Sequence, residues 1–349
     1  MDVILLAAGL GERMRPLSNF YAKPVLPVVG KPLLTHLIEL FKEVGCRNFI
    51  IITGPDRNAI DRAVQLVNGI KVQYVVQDPP RGMGHALQCV KAQVSPLPPQ
   101  FILSATDVLY DVPGIRHMVE NHQKSQNDAT LSLVKSPDKR FANGHGNVVV
   151  NDNLQVVKIV EKPGESHALS DYYSLPTYIF TADIFAVLDE IKPSVRGEVE
   201  LQDAIEKLIE NGHKIQGIPI IPEQESLDYI GKYHITTISD YLLMNITRLK
   251  GIVVPDLESF PTMIEPLYID PNVTLQDSCF IGPYVYIRGP CILMEGVEVS
   301  ETIIFENTHI GRGAKLHKCV VLPRSKVPPN ARMCEVVITE NRLISFKKN

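Results

Sequence analysis

Arg13 and Lys23 stand behind a glycine turn, Gly9-Leu10-Gly11, that itself follows the apolar run Val3–Leu6. Gly9 and Gly11 carry no Cβ, so the backbone there comes close to a ligand and successive N–H groups converge on phosphate oxygens. The two cations add counter-charge, and the segment reads as a grip for a polyphosphate. It is not a dinucleotide fingerprint, because the third glycine would fall at Met14. It is not a Walker A loop either, since Gly30-Lys31 runs into Pro32 instead of Ser or Thr.

The elements that hold such a loop are legible in the apolar pattern. Val3–Leu6 is short and β-branched, as a fully buried strand is. Phe49–Thr53, Val72–Val76, Phe101–Ala105, Ala129–Val134 and Val156–Val160 repeat that character between stretches of helix length. This alternation up to about residue 230 predicts a mostly parallel sheet covered on both faces. Ligands of such sheets sit beyond the carboxyl ends of the strands, where the GLGERM loop and the Asp107 segment both fall. Leu201, Ile205, Leu208 and Ile209 predict an amphipathic surface helix stopped at Gly212. A connecting helix is expected over Ser239–Lys250.

Beyond it the period becomes six. Ile269, Leu275, Ile281, Ile287, Leu293 and Val299 recur at that spacing, and after a one-residue deletion Ile304, Ile310, Leu316 and Leu322 resume it. A second series lies four residues behind: Val273, Cys279, Val285, Cys291, Val297 and Ile303, then Ala314 and Val320. Hexapeptide periodicity marks a parallel β-helix of roughly three coils, each repeat being one strand and a turn that bury nothing without stacked neighbours.

The bulk properties exclude several classes. A chain of 349 residues with 45 % hydrophobic and 21 % charged residues has room for two soluble domains. A formal charge of −4 and a pI near 6.2 speak against a nucleic-acid footprint. No apolar run approaches the ~20 residues of a membrane helix, and Asp2 with no basic flank is unlike a signal peptide. The six cysteines form no CxxC pair or His/Cys cluster and read as buried thiols in a reducing, cytoplasmic setting.

Leu6 to Gly9, Gly11, Arg13, Pro16-Leu17 and Lys23-Pro24 through Pro27-Val28 together resemble the signature of the sugar-1-phosphate nucleotidylyltransferases, LAAGxGxRxxPL followed by KPxxPV. The resemblance covers residues 1–245 as transferase and 260–327 as β-helix. It implies a Rossmann-like, mostly parallel nucleotidyltransferase domain over 1–235, a helical linker over 236–260, and a short left-handed parallel β-helix with a C-terminal tail over 261–349. It also implies the reaction: a nucleoside triphosphate and a sugar 1-phosphate give an NDP-sugar and pyrophosphate, with Mg²⁺ required.

Further segments match the family's working parts. Ser104-Ala105-Thr106-Asp107 resembles its strand-then-GD element, whose aspartate binds Mg²⁺, a hard cation that prefers carboxylate oxygens. Asp228, in Ser226-Leu227-Asp228-Tyr229-Ile230-Gly231, aligns with a later LDxG-like segment as the second metal ligand. Glu161-Lys162-Pro163 is similar to EKP, in which the lysine holds the sugar phosphate and the glutamate accepts from sugar hydroxyls, with Gly146 approaching the sugar. Gln77 and Arg81-Gly82-Met83-Gly84-His85-Ala86-Leu87 resemble the base-reading segment, and glutamine at 77 favours UTP or dTTP. On this reading Arg13, Lys23 and Lys162 are catalytic, while Leu6, Ala8, Gly9, Gly11, Gln77 and Gly82 line the nucleotide. The tail is expected to build a homo-oligomer.

Four positions depart from the pattern: Glu12, Met83, Thr106 and Pro176. They keep open a nucleotide-sugar-binding regulatory or assembly subunit without turnover. A bifunctional enzyme with an acetyltransferase tail, using His309 or His317 as base, is the third reading.

Overall fold

The computed structural model describes residues 1–9, 11–254 and 261–346. Its contacts divide the chain into two compact units. One takes Met1–Leu10, Lys23–Val25 and Leu33–Tyr229, and the other takes Gly11–Ala22, Leu26–Pro32 and Ile230–Asn349.

The first unit is built on a nine-stranded sheet. Its strands are β1 (Asp2–Leu6), β2 (Asn48–Thr53), β3 (Lys71–Val76), β4 (Gln100–Ala105), β5 (Ala129–Lys135), β6 (Asn147–Val150), β7 (Val156–Val160), β8 (Tyr172–Thr181) and β9 (Ile215–Pro219). The order is β9-β5-β8-β4-β1-β2-β3, with β6 on β8 and β7 on β6. Each strand expected from the apolar runs is present. Val3, Ile4 and Leu5 of β1 are wholly buried, as a strand covered on both faces must be.

Strand β8 breaks the simple alternation. It runs antiparallel between β4 and β5, and its register against β5 slips between Ser174 and Tyr178. Pro176 lies inside that slip, where a residue without an N–H removes no regular ladder bond. The helix Leu201–Glu210 buries Leu201, Ala204, Ile205 and Leu208, while Ile209 is partly covered. Gly212 follows with a positive φ of 83°, the left-handed stop that glycine adopts without strain.

In the second unit the helix Ile238–Arg248 begins at a capping box of Thr237 and Asp240. The far end of the expected linker, 255–260, and the last tail residues, 347–349, lie outside the described residues. After it the chain winds through three parallel sheets into a β-helix. Strand triplets spanning 267–281, 285–300, 302–317 and 320–334 make four coils, closed by Val336–Ile338 and an antiparallel strand, Leu343–Ser345.

The first inward series is as expected through Leu316, and the second holds at Val273, Cys279, Val285, Cys291, Val297 and Ala314 but not at Ile303. Ile269 stands opposite Ile287 and Ile287 opposite Ile304, so the coil shortens from eighteen residues to seventeen. It stays at seventeen, and Ile304 faces Val321 instead of the expected Leu322. Thr302 takes the inward place beside Val285. Ile303 and Val320 align instead with Tyr286, outside the internal cluster although buried. A second correction concerns the cysteines. All six are free and four are buried, whereas Cys334 is exposed.

Candidate functional site

The site in the first unit gathers where β1 and β4 end. Beyond Leu6 the Ala7 N–H donates to the Ile52 carbonyl at 2.8 Å. Leu6 and Ala8 are partly exposed there. Among the described residues nothing lies within 4 Å of the position a Cβ would take on Gly9. Packing therefore does not demand a glycine at that position; an approaching ligand would.

Beside it, Thr106 donates its hydroxyl to the Leu6 carbonyl at 2.7 Å, tying the end of β4 to that of β1. The next residue, Asp107, is paired with Lys23: Nζ and Oδ2 are 2.7 Å apart, with side chains only 13 % and 24 % exposed. A cation and a carboxylate 84 residues apart thus meet at the carboxyl edge of the sheet. Behind Asp107 lies a set of buried tyrosines. Tyr110 hydrogen-bonds Tyr229 and Thr177, and burial pushes its phenol well up, so it acts as a neutral hydrogen-bonding group. Asp228 is exposed and immediately precedes the wholly buried Tyr229.

A second group forms around Glu161. Its Oε1 is 2.8 Å from Lys162 and 3.7 Å from Arg196, and its Oε2 is buried with no hydrogen-bond partner. A buried carboxylate oxygen left without a donor is costly unless something else supplies one. Gly146 adjoins it closely. A Cβ there would sit 2.8 Å from Ser174 Oγ, 3.3 Å from Gln202 Cγ and 3.4 Å from Glu161 Oε2. Gln202 in turn donates to the Tyr178 hydroxyl at 3.4 Å, and burial, aided by Glu161, raises the Tyr178 phenol. Lys162 adopts a positive φ of 43°, a conformation uncommon for a side chain of its kind, as β7 turns out of the sheet.

A third group holds Gln77. Its Nε2 donates to the Gly82 carbonyl at 3.0 Å and lies 3.1 Å from His85 Nδ1. Burial, with Arg81 beside it, lowers the His85 pKa, which keeps the ring neutral and able to accept. Gly82 and Gly84 have a packing reason: their Cβ atoms would fall 2.8 Å and 2.7 Å from the Val199 carbonyl oxygen, which accepts the Gly84 N–H. Met83 is partly buried against the same core.

Arg13 and Gly11 belong to the second unit. Gly11 has a left-handed φ of 64° and leads into the turn Glu12–Met14, where Met14 is buried and Arg13 exposed. Glu12 is exposed too and lies 3.9 Å from Arg15.

Lys23 thus meets Asp107, Glu161 meets Lys162 and Gly146, and Gln77 meets Gly82. Sequence reasoning passed over Arg196 and Gln202, and it read the segment from Ser174 to Tyr178 only as a departure at Pro176. Gln202 carried a sequence signal, an amide on the buried side of an amphipathic helix. Among the described residues the one group of three metal-ligand side chains within 4.8 Å of one another is Asp128, Asp183 and His213. It lies at the amino ends of β5 and β9, away from Asp107.

Residues 2–219 match the family model described as nucleotidyl transferase, and residues 263–345 match the one described as GMPPB C-terminal domain. Over 346 residues the chain is 25 % identical to the bifunctional protein GlmU of Methanococcus vannielii, covering 94 % of this chain and 75 % of that one. It is 30 % identical over 221 residues to the UTP–glucose-1-phosphate uridylyltransferase AglF of Haloferax volcanii, covering 63 % of this chain and 88 % of the relative. Among solved structures, a UDP-glucose pyrophosphorylase complexed with UDP-glucose is similar at a TM-score of 0.55 and 24 % identity, over 62 % of this chain and 89 % of that one. That likeness is one of fold. No helix of the described residues is long and apolar enough to cross a membrane.

Proposed function

This chain belongs to the nucleotidyl transferase family, and on that premise we propose that it joins a nucleoside triphosphate to a sugar 1-phosphate and releases pyrophosphate. The observation that carries the reading is the 2.7 Å pair of Lys23 and Asp107 at the strand ends, together with a Gly9 whose Cβ position has nothing within 4 Å among the described residues. In the reaction a phosphate oxygen of the sugar 1-phosphate attacks the α-phosphorus, and the bond to the bridging oxygen of pyrophosphate breaks. Positioning and charge neutralisation supply most of the catalysis in such transfers.

Lys23 offsets charge at the α-phosphate, and Arg13 with the N–H groups around Gly9 and Gly11 holds the departing pyrophosphate. Leu6 and Ala8 line the nucleotide. Asp107, with Asp228 as second ligand, would hold Mg²⁺, a hard ion that takes one or two carboxylates from a protein together with substrate phosphates and water. When bound, the ion neutralises phosphate charge. Lys162 aligns the attacking phosphate, while the partnerless Glu161 Oε2 accepts from a sugar hydroxyl brought close by the bare backbone of Gly146. Gln77, its Nε2 committed to Gly82 and His85, presents Oε1 as acceptor for a base N–H such as that of uracil. The name of the AglF relative supports UTP as the first nucleotide to try.

We place the enzyme in the cytoplasm and expect the β-helix to build a homo-oligomer. The test is pyrophosphate release across a panel of nucleoside triphosphates and sugar 1-phosphates with Mg²⁺. Asp107→Ala and Lys162→Ala are expected to lower it by about 100-fold or more while the fold survives. Near-normal turnover in either variant discards these assignments. Binding of NDP-sugar without any pyrophosphate from the wild type would favour the regulatory subunit.

A further inference from the structure

Tyr21 lies between the two loop cations in sequence, two residues before Lys23, and it is held by the β-helix. Its hydroxyl donates to Glu306 and accepts from Arg288 Nη1 at 3.0 Å. Its ring packs 5.3 Å from that of Phe305, with the Arg288 guanidinium 5.6 Å from the Tyr21 ring centre. Arg288 also lies 3.7 Å from Glu306 and 4.0 Å from Asp270. The chain on the other side of Lys23 is tied within the same unit. Tyr241 donates to the Pro27 carbonyl, Asn245 Oδ1 accepts the Val29 N–H at 3.0 Å, and a Cβ on Gly30 would sit 2.7 Å from the Tyr268 hydroxyl.

From this we infer that Tyr21, Arg288 and Glu306 are positioning residues for the reaction: the β-helix unit holds the loop that carries Arg13 and the chain leading into Lys23. The inference rests on the proposed transferase activity. Its physical basis is that a half-buried, charge-assisted network has one good geometry, because each charged member loses its partner if another moves. A loop joined to such a network is ordered before substrate arrives, which lowers the entropy lost when the triphosphate binds. The β-helix is then what orders the loop between Gly11 and Ala22.

Tyr21→Phe removes one hydroxyl and leaves the ring on Phe305; Glu306→Gln removes one charge. In the full-length protein, both variants are expected to raise KM for the nucleoside triphosphate at least fivefold and to lower kcat. KM for the sugar 1-phosphate should stay at its wild-type value and both variants should remain folded, so that the loss is confined to the nucleotide, which a merely structural role would not produce. The double variant should be no worse than the poorer single one, since both break the same network. Nucleotide affinity measured by calorimetry without turnover provides a second readout. If the wild type binds nucleotide but releases no pyrophosphate, the activity fails, and the affinity comparison alone decides the inference. Unchanged nucleotide KM and affinity in both variants overturn it, as does equal weakening toward both substrates accompanied by a fall in melting temperature.

Discussion

Replacing Gly82 with alanine separates two physical costs that coincide at the base-reading segment. Gly82 has φ +92°, and a Cβ there would stand 2.8 Å from the Val199 carbonyl oxygen. The backbone conformation costs an L-residue about 1–2 kcal/mol. Forcing an extra methyl into a packed site costs about 1–3 kcal/mol, and that oxygen is anchored by the Gly84 N–H at 2.9 Å. Gly82→Ala is therefore expected to lose about 2–5 kcal/mol. Three glycines calibrate the two parts. Gly45 has φ +98° with nothing within 4 Å, so its alanine variant reports the backbone cost alone. Gly84 lies 2.7 Å from Val199 without a positive φ, so its variant reports the steric cost, offset by ~1 kcal/mol of helix propensity. Gly144 has neither constraint and should change stability by less than about 0.5 kcal/mol.

The assay is urea unfolding followed by far-ultraviolet circular dichroism, since the chain has no tryptophan. Below its midpoint the Gly82 variant should also show a raised KM for the triphosphate, because the Gly82 carbonyl holds Gln77 at 3.0 Å. If Gly82→Ala and Gly45→Ala unfold at the same midpoint, the clamp of Val199 on this turn is not real, and the argument built on it fails.

Lys23→Met removes the cation beside Asp107 and should lower pyrophosphate release about 10²–10³-fold while the fold survives, as steady-state kinetics and circular dichroism will report. His122 is buried beside Thr130, and burial lowers its pKa from 6.5 although Asp128 opposes the shift. The unfolded chain then takes up a proton that the folded ring resists, so stability is full above about pH 6.5 and falls as pH drops through that value. Urea midpoints from pH 7.5 to 5 should show this, and His122→Asn should flatten the acid side; an unchanged slope would remove His122 from the account. In the β-helix, Leu293→Ala should cost about 2–5 kcal/mol, while Ile292→Ala, at a 43 % exposed neighbour, should cost under about 0.5 kcal/mol. Equal losses would contradict the inward and outward alternation.

The strands and the coils were legible because their signals are local. A run such as Val3–Leu6 has the composition a strand buried on both faces needs, and the hexad of Ile269 to Val299 states which side faces in. The antiparallel entry of β8 was not legible. Its neighbours are chosen by sheet order, and Pro176 made the strand look like a departure until the register slip explained it. That the coil stays at seventeen residues escaped for a related reason: Leu322 keeps the six-residue count and is buried, yet pairing across the sheet puts Val321 inside.

For the site, sequence by itself determined the types of group available: glycines for close approach, Arg13, Lys23 and Lys162 for charge, Asp107 and Glu161 at strand ends. Those depend on neighbouring residues and short spacing. Only the tertiary structure decided that Lys23 finds Asp107, that Glu161 shares Arg196 and Gly146, and that Tyr21 is held by Arg288 and Glu306. Contacts between residues so far apart in the chain are made by the order of strands and the stacking of coils, and no local pattern of side chains encodes which distant partner that packing brings near.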